Sequence, residues 1–129
     1  MAYDLDIDIN GDILRVEIFG ERSRDPEQLK QDSHAAWREI AQVTSENRLE
    51  KLLVVSHAKG DYSALKAYEI NSTLDACGVQ RGWTIAFANL DENSFEDVRF
   101  AETVAVNRGF KVGVFQSEDR ALSWLLKSN

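Results

Sequence analysis

The strongest constraint on this chain is a change of hydrophobic rhythm along its length. Residues 5–9 and 13–19 alternate apolar and charged side chains on either side of Asn10-Gly11. Strict alternation is typical of a strand with one face in water. The Asn-Gly pair predicts a tight hairpin, because the favoured two-residue turns need positive φ. We therefore expect an antiparallel pair of strands here.

The rest of the chain alternates helix and strand patterns. Apolar spacing and capping residues predict helices over residues 25–46, 62–76, 95–108 and from 118 onward, and strands over residues 49–56, 82–89 and 110–115. Crossovers between parallel strands are right-handed, so strands added in one direction place their helices on one side. We predict a single α/β domain over residues 1–129, a five-stranded mixed sheet of order ββαβαβαβα with helices mainly on one face.

The charged half of each strand predicts that the other face of the sheet is at least partly solvated. Only Leu52–Val55 is a continuous apolar run, which is typical of a central strand covered on both sides. The residues expected on the solvated face are Asp6, Asp8, Arg15, Glu17, Lys51, Thr84, Ala86, Lys111 and Gly113.

Charge and composition exclude several classes of partner. The formal net charge is −7, whereas nucleic acids and anionic membranes attract basic surfaces. No apolar run reaches the length of a membrane span, and the single cysteine, Cys77, is compatible with a reducing compartment. We expect a cytoplasmic protein with no nucleic-acid partner and no membrane span.

Motifs for metals and cofactors are missing. The two histidines, His34 and His57, have no ligand partner at matched spacing, so we expect no metal. Lys59-Gly60 lacks the rest of a phosphate loop, and no dinucleotide fingerprint occurs. We therefore expect no cofactor.

Geometry rather than a motif indicates where a site would lie. Ligands of open α/β sheets collect outside the carboxyl ends of the parallel strands. Those ends correspond to the loops 20–24, 57–62, 89–94 and 116–117. The residues that we expect to form a ligand or partner surface there are His57, Lys59, Gly60, Asp61, Tyr62, Ser63, Asn89 and Asp91.

A denser polar cluster in this region raises the alternative of a hydrolase. Ser56, His57, Asp61 and Ser63 supply a nucleophile, a base and a carboxylate. However, adjacent strand residues point to opposite faces, and no Gly-x-Ser-x-Gly elbow is present. We therefore expect no catalytic residues and a protein that is not an enzyme.

The element order and the C-terminal half resemble the STAS fold of bacterial anti-sigma factor antagonists (SpoIIAA-like). The similarity lies in residues 83–87, in Phe100-Ala101-Glu102-Thr103, in residues 107–115 and in the run from Glu118 to Leu125. The chain also resembles a group of small uncharacterised bacterial proteins that share that fold. These are mainly packing residues, so the resemblance implies a fold and a non-catalytic regulatory or protein-interaction module.

In signalling members of that family, a serine after the third strand accepts phosphate from a partner kinase. The resemblance implies Ser63 as the corresponding phospho-acceptor. The family run reads Asp-x-Ser-Ser-Gly-Leu, whereas Asp61-Tyr62-Ser63 is followed here by Ala64-Leu65 and preceded by an insertion at residues 57–60.

Two functional classes therefore stay open. The first is the interaction module, working through residues 57–63, 89–95 and the second helix. The second is a binder of a small anionic or lipid-like ligand in a pocket at the carboxyl ends of the parallel strands. The partner or ligand is not identified by the sequence. We also expect a homodimer, because Phe19 and Phe115 near strand ends would be hidden by pairing.

Overall fold

A computed structural model describes residues 3–60 and 64–127, with the side chain of Ala64 left out. Its elements are β1 (Asp4–Asn10), β2 (Ile13–Phe19), α1 (Pro26–Glu46), β3 (Lys51–Ser56), α2 (Ala64–Asn71), β4 (Thr84–Asn89), α3 (Phe95–Asn107), β5 (Lys111–Phe115) and α4 (Glu118–Lys127). Short 3-10 turns, Leu74–Cys77 and Glu92–Ser94, precede β4 and α3. The order ββαβαβαβα is confirmed.

The five strands form one mixed sheet in the order β1-β2-β3-β4-β5. β1 is antiparallel to β2, and every later neighbour is parallel. The register places Val16 beside Val54 and Val54 beside Phe87, so apolar side chains of successive strands share one face. The predicted α/β class with a five-stranded mixed sheet is confirmed.

One face of the sheet, called the near face below, carries α1, α2 and α3. Its main core contains Leu14 from β2, Leu52 from β3 and Ile85 from β4, with Ile40 of α1 and Ala105 of α3 packed against them. α1 begins where the sequence predicts, because Asp25 Oδ1 accepts a hydrogen bond from the backbone N–H of Glu27 at 3.2 Å and Pro26 stands in the first turn.

The opposite face, called the far face, is covered in part by α4, and this corrects the expected solvation. Ala121 and Leu125 of α4 pack on Leu53 and Val55 of β3. Ala86 is buried there with them, and so is Gly113. α4 follows the last strand and is not a crossover, so the handedness rule does not assign its side. Small residues of β4 and β5 make room for it.

The rest of the far face keeps its charged character. Asp6 and Asp8 are exposed, Lys111 is exposed, and Arg15 and Glu17 are half-buried beside the start of α4. The far face is therefore divided into a dry half under α4 and a charged half on the hairpin.

The predicted hairpin is confirmed, but its turn lies one residue further on than expected, and the second helix is shorter than expected. The hairpin turn has Gly11 and Asp12 at its centre, and only Gly11 takes a positive φ, of 63°, as the first central position of a II′ turn requires.

The second helix ends at Asn71 rather than at residue 76. There the side chains of Asn71 and Thr73 donate to the carbonyls of Ala67 and Glu69, which competes with continued helix.

No helix of the part that the structure describes is both long enough and apolar enough to cross a bilayer.

Candidate functional site

The carboxyl ends of β2, β3 and β4 lie side by side at one end of the sheet, and backbone hydrogen bonds hold their loops together. His57 N donates to Ile18 O at 2.8 Å, and Lys59 N donates to Gly20 O at 3.2 Å. Arg22 N donates to Lys59 O at 2.7 Å. Parallel pairing thus continues beyond the strands and places Arg22 directly beside the loop after β3.

A buried arginine joins the three loops. The Arg22 side chain is 3 % exposed. Its Nη1 donates to Gly60 O at 2.9 Å and to Ser94 Oγ at 3.0 Å, and its Nη2 donates to Asn89 Oδ1 at 3.2 Å. A buried charge is costly unless it is paired and hydrogen-bonded, so these contacts make the loop arrangement depend on Arg22.

The partners of Arg22 are themselves held in place. Asn89 Nδ2 donates to Asp91 O at 2.9 Å and to Ser94 Oγ at 3.1 Å. Ser94 Oγ donates to Asp91 Oδ2 at 3.1 Å, which lies 3.9 Å from Arg22 Nη1. We call Arg22, Gly60, Asn89, Asp91 and Ser94 the Arg22 network. Its hydrogen bonds connect the three loops at the carboxyl end of the sheet and restrict their positions relative to one another.

A cavity of about 70 Å³ lies between the near face and the helices, with Arg22 in its wall. Most of the wall is apolar, but its polar residues include an acidic one, Glu102 of α3. Among the described residues, the apolar lining is Ile18, Ala36, Trp37, Ala58, Leu74, Ile85, Phe87, Val98, Ala101, Val112 and Val114, and the polar lining is Tyr3, Arg22, Ser33, Ser56, Asn71 and Glu102. The cavity thus combines an apolar body with a polar end at the carboxyl ends of the strands, where Arg22 and Ser56 lie.

Tyr3 adds a neutral hydroxyl to that polar end. Burial raises the pKa of Tyr3, and the Arg22 charge and a hydrogen bond with Ser33 oppose the rise only in part. The phenol therefore stays protonated at neutral pH and can donate a hydrogen bond.

An open groove lies on the solvent side of the same arginine. Of its described lining residues, Arg22, Arg24, Lys59 and Lys66 are cationic and Glu21 is acidic. Lys66 Nζ is held by Glu27 at 3.0 Å and by Glu69 at 2.6 Å. The groove thus has four cationic residues in its described lining, but Glu27 and Glu69 offset the charge of Lys66, which leaves Arg24 and Lys59 as its main exposed cations. Arg22 separates it from the cavity.

His57 lies elsewhere, on the far face. Its Nε2 is 2.9 Å from Glu17 Oε2, and its ring stacks on Phe19 at a centroid distance of 4.6 Å. Hydrogen bonds from His57 and then from Arg15 lower the pKa of Glu17. This pairing fixes the ring beside β2 and away from the cavity.

Ser56 points the other way, into the cavity wall, and its Oγ accepts a hydrogen bond from Ala58 N at 3.3 Å. Adjacent residues of a strand project to opposite faces, and this strand follows that rule. Ser56 and His57 do not form a nucleophile–base pair in this arrangement.

The structure brings some of the sequence-derived surface together. Gly60, Asn89 and Asp91 join the Arg22 network, and exposed Lys59 lines the groove. Asp61, Tyr62 and Ser63 lie outside the described residues. The implied role of Ser63 therefore has no structural setting here.

Sequence reasoning missed Arg22, Ser94 and the polar end of the cavity. Arg22 and Arg24 stand in the same short polar loop, and no pattern distinguishes the buried one from the exposed one. The one available signal is register: extending the β2–β3 pairing past the strands puts residue 21 opposite residue 59, where an isolated bridge occurs.

Comparison with protein-family models gives no match for this chain, and comparison with curated proteins gives none either.

Proposed function

We propose that this protein binds a small amphipathic anion, with a short apolar group in the cavity and a negative head group in the groove beside Arg24 and Lys59. The observation that carries the proposal is the position of Arg22, which lines both the mainly apolar cavity and the groove that holds these exposed cations. Ligand sites of this kind are mostly apolar with a few fixed polar groups.

The size of the cavity limits the apolar group. At about 70 Å³ it has half the volume of the ~150 Å³ engineered cavity that holds benzene. This supports an alkyl group of about three or four carbons and argues against a long lipid tail. A carboxylate of six or seven non-hydrogen atoms, working well below the ceiling of about 1.5 kcal/mol per atom, reaches a Kd of about 1 mM.

Tryptophan fluorescence tests the proposal, because Trp37 lines the cavity while Trp124 packs on Phe115 across the sheet. Straight-chain carboxylates from acetate to octanoate are titrated into the full chain. We expect saturable binding that peaks near butanoate and pentanoate, weaker binding of the matching alcohols, and loss of the signal in Trp37→Phe.

A variant whose cavity is filled by a larger side chain tests whether the ligand binds there. Ala101→Leu adds three carbons to the cavity wall from α3, whereas Thr103→Leu adds a similar apolar group on the exposed side of the same helix. We expect Ala101→Leu to weaken pentanoate binding at least tenfold and Thr103→Leu to leave it unchanged. Equal binding by both variants, or no saturable binding of any carboxylate by the parent chain, rules the proposal out.

A STAS-like regulatory module that docks a protein partner is our second proposal. It is favoured by the apolar surface that follows the position of Ser63, where Leu65 is 67 % exposed and Tyr68 is exposed beside it. The matched test compares Leu65→Glu on α2 with Leu126→Glu on α4, since Leu126 is similarly exposed at 60 %. A partner that co-purifies with the chain should be lost only from Leu65→Glu. Retention by both variants removes this proposal.

A further inference from the structure

The two edges of the sheet differ in whether another strand can join them. At the β5 edge, the backbone N–H of Val114 donates to Glu102 Oε2, a side chain of α3. The carboxylate occupies a donor that an incoming strand would need. A side chain that covers edge groups in this way is a recognised protection against unwanted pairing.

At the β1 edge, no side chain from another element of the described chain bonds to the outward backbone groups, and the only side-chain partner there is Asp8 of β1 itself. In a two-residue hairpin the pair flanking the turn, here Asn10 and Ile13, exchanges both hydrogen bonds, and the pattern then alternates. The N–H and C=O groups of Leu5, Ile7 and Ile9 therefore point away from β2. Ile9 N donates to Asp8 Oδ1 of its own strand, as expected for an outward amide.

The side chains of β1 define what could pair with it. Asp4, Asp6 and Asp8 are exposed on the far face, and no ion pair within the described residues engages them. On the near face, Leu5 and Ile7 are half-buried and Ile9 is 43 % exposed. One face of this edge is acidic and the other is apolar.

We propose that β1 is a docking edge for an extended segment of a partner protein in which basic and apolar residues alternate. Such a strand places its cations beside the three aspartates and its apolar side chains beside Leu5, Ile7 and Ile9. Opposite charges on neighbouring strands attract and like charges repel. Two copies of this chain pairing through β1 would bring aspartate rows together, so the charge pattern selects a basic partner over a second copy.

The probe is a capped seven-residue peptide in which four lysines alternate with three valines, matching the length of β1. Controls are its acidic counterpart with glutamate for lysine and a block peptide of the same composition without alternation. Binding to the full chain is followed by NMR chemical shifts and by amide hydrogen exchange. We expect the alternating basic peptide alone to bind, with new protection at the amides of Leu5 and Ile7.

A charge-matched pair of variants separates local from overall electrostatics. Asp4→Asn/Asp6→Asn/Asp8→Asn removes the charges of the edge, and Glu39→Gln/Glu92→Gln/Glu96→Gln removes three exposed charges elsewhere. We expect the first variant to bind about tenfold more weakly, a factor that corresponds to ~1.4 kcal/mol, and the second to bind as the parent does. Thermal unfolding of each variant checks that the fold is retained.

Equal weakening by both variants would mean attraction by net charge alone and would overturn the proposal. So would shifts that map to the β5 edge, or binding of the block peptide as tightly as the alternating one. A dimer held through β1, seen by analytical ultracentrifugation with protection of the same amides in the absence of peptide, would assign the edge to a second copy instead.

Discussion

The two faces of the sheet differ in how many helices cover them and in how much charge they retain. The near face packs three helices on a large apolar core and leaves a cavity whose lining includes the buried Arg22. The far face has one helix, a small apolar cluster and a half that stays charged. β3 lies where both layers overlap and is buried on each side. The continuous apolar sequence of β3 is explained by helices on both of its faces. The alternation in β1 and β2 is explained by the part of the far face that α4 does not cover.

The comparison is tested most strongly by two neighbouring leucines of β3. Leu52, at 0 % exposure, faces the near core, and Leu53, at 2 %, lies under α4. Because both side chains are fully buried, we expect Leu52→Ala and Leu53→Ala each to lower the free energy of unfolding by about 2–5 kcal/mol in urea denaturation. A loss below about 1 kcal/mol for Leu53→Ala alone would show that the far face is wet.

Gly113 tests how closely α4 approaches the sheet. A Cβ at this position would lie 2.9 Å from a ring carbon of Phe115 and 3.2 Å from Trp124. We expect Gly113→Ala to cost about 1–3 kcal/mol through overpacking, measured by thermal unfolding. Gly82 is the control, since a Cβ there meets no atom within 4 Å. Similar melting temperatures for both variants would contradict this packing.

A smaller effect is expected where α4 meets the charged half. Arg15 contacts Glu118 through two hydrogen bonds, Nε to Oε2 at 2.8 Å and Nη2 to Oε1 at 2.9 Å. Their side chains are 25 % and 36 % exposed, so solvent screens the attraction. A double-mutant cycle with Arg15→Met and Glu118→Gln should give a coupling free energy of about 0.3–1 kcal/mol. A coupling of zero would remove this contact from the forces that hold α4.

The pH dependence of the same contact should be the smallest effect. Hydrogen bonds from Arg15 hold the pKa of Glu118 below its ordinary value. A carboxyl whose pKa is lower in the folded state stabilises the fold above its unfolded pKa of about 4.3, and that contribution is lost as pH falls through the folded value.

Glu118→Gln should therefore lose less stability than the parent between about pH 6 and about pH 3. Urea denaturation at each pH measures this, with the exposed Glu39→Gln as the control. A difference of the same size in Glu39→Gln would assign the effect to overall charge.

The parts of the fold that the sequence predicted are those set by neighbours along the chain. α1 begins as expected because Asp25 and Pro26 act on backbone groups within one turn, and it ends at Glu46, as the sequence also predicts. Alternation likewise gave the faces of β2 and β4. The side taken by α4 was beyond such patterns, because it depends in part on Ala86 and Ala88 of β4, which lie far from α4 in sequence.

The sequence predicted the location of the site but not the contacts within it. Its location at the carboxyl ends of the strands follows from the parallel topology of the sheet. Arg22, however, is buried by partners that lie 67 and 72 residues further along the chain, Asn89 and Ser94. Only the assembled sheet brings them within hydrogen-bond distance, so a local pattern has no means of marking this arginine.

The carboxylate of Glu102 on the backbone of β5 has a consequence for stoichiometry. A sheet that accepts strands at both sides can grow without limit, and each added copy offers a fresh template to the next. Here one side is already occupied by the molecule's own acid. Copies of this chain that could pair only through the other side would therefore stop at a discrete pair and would not form a filament.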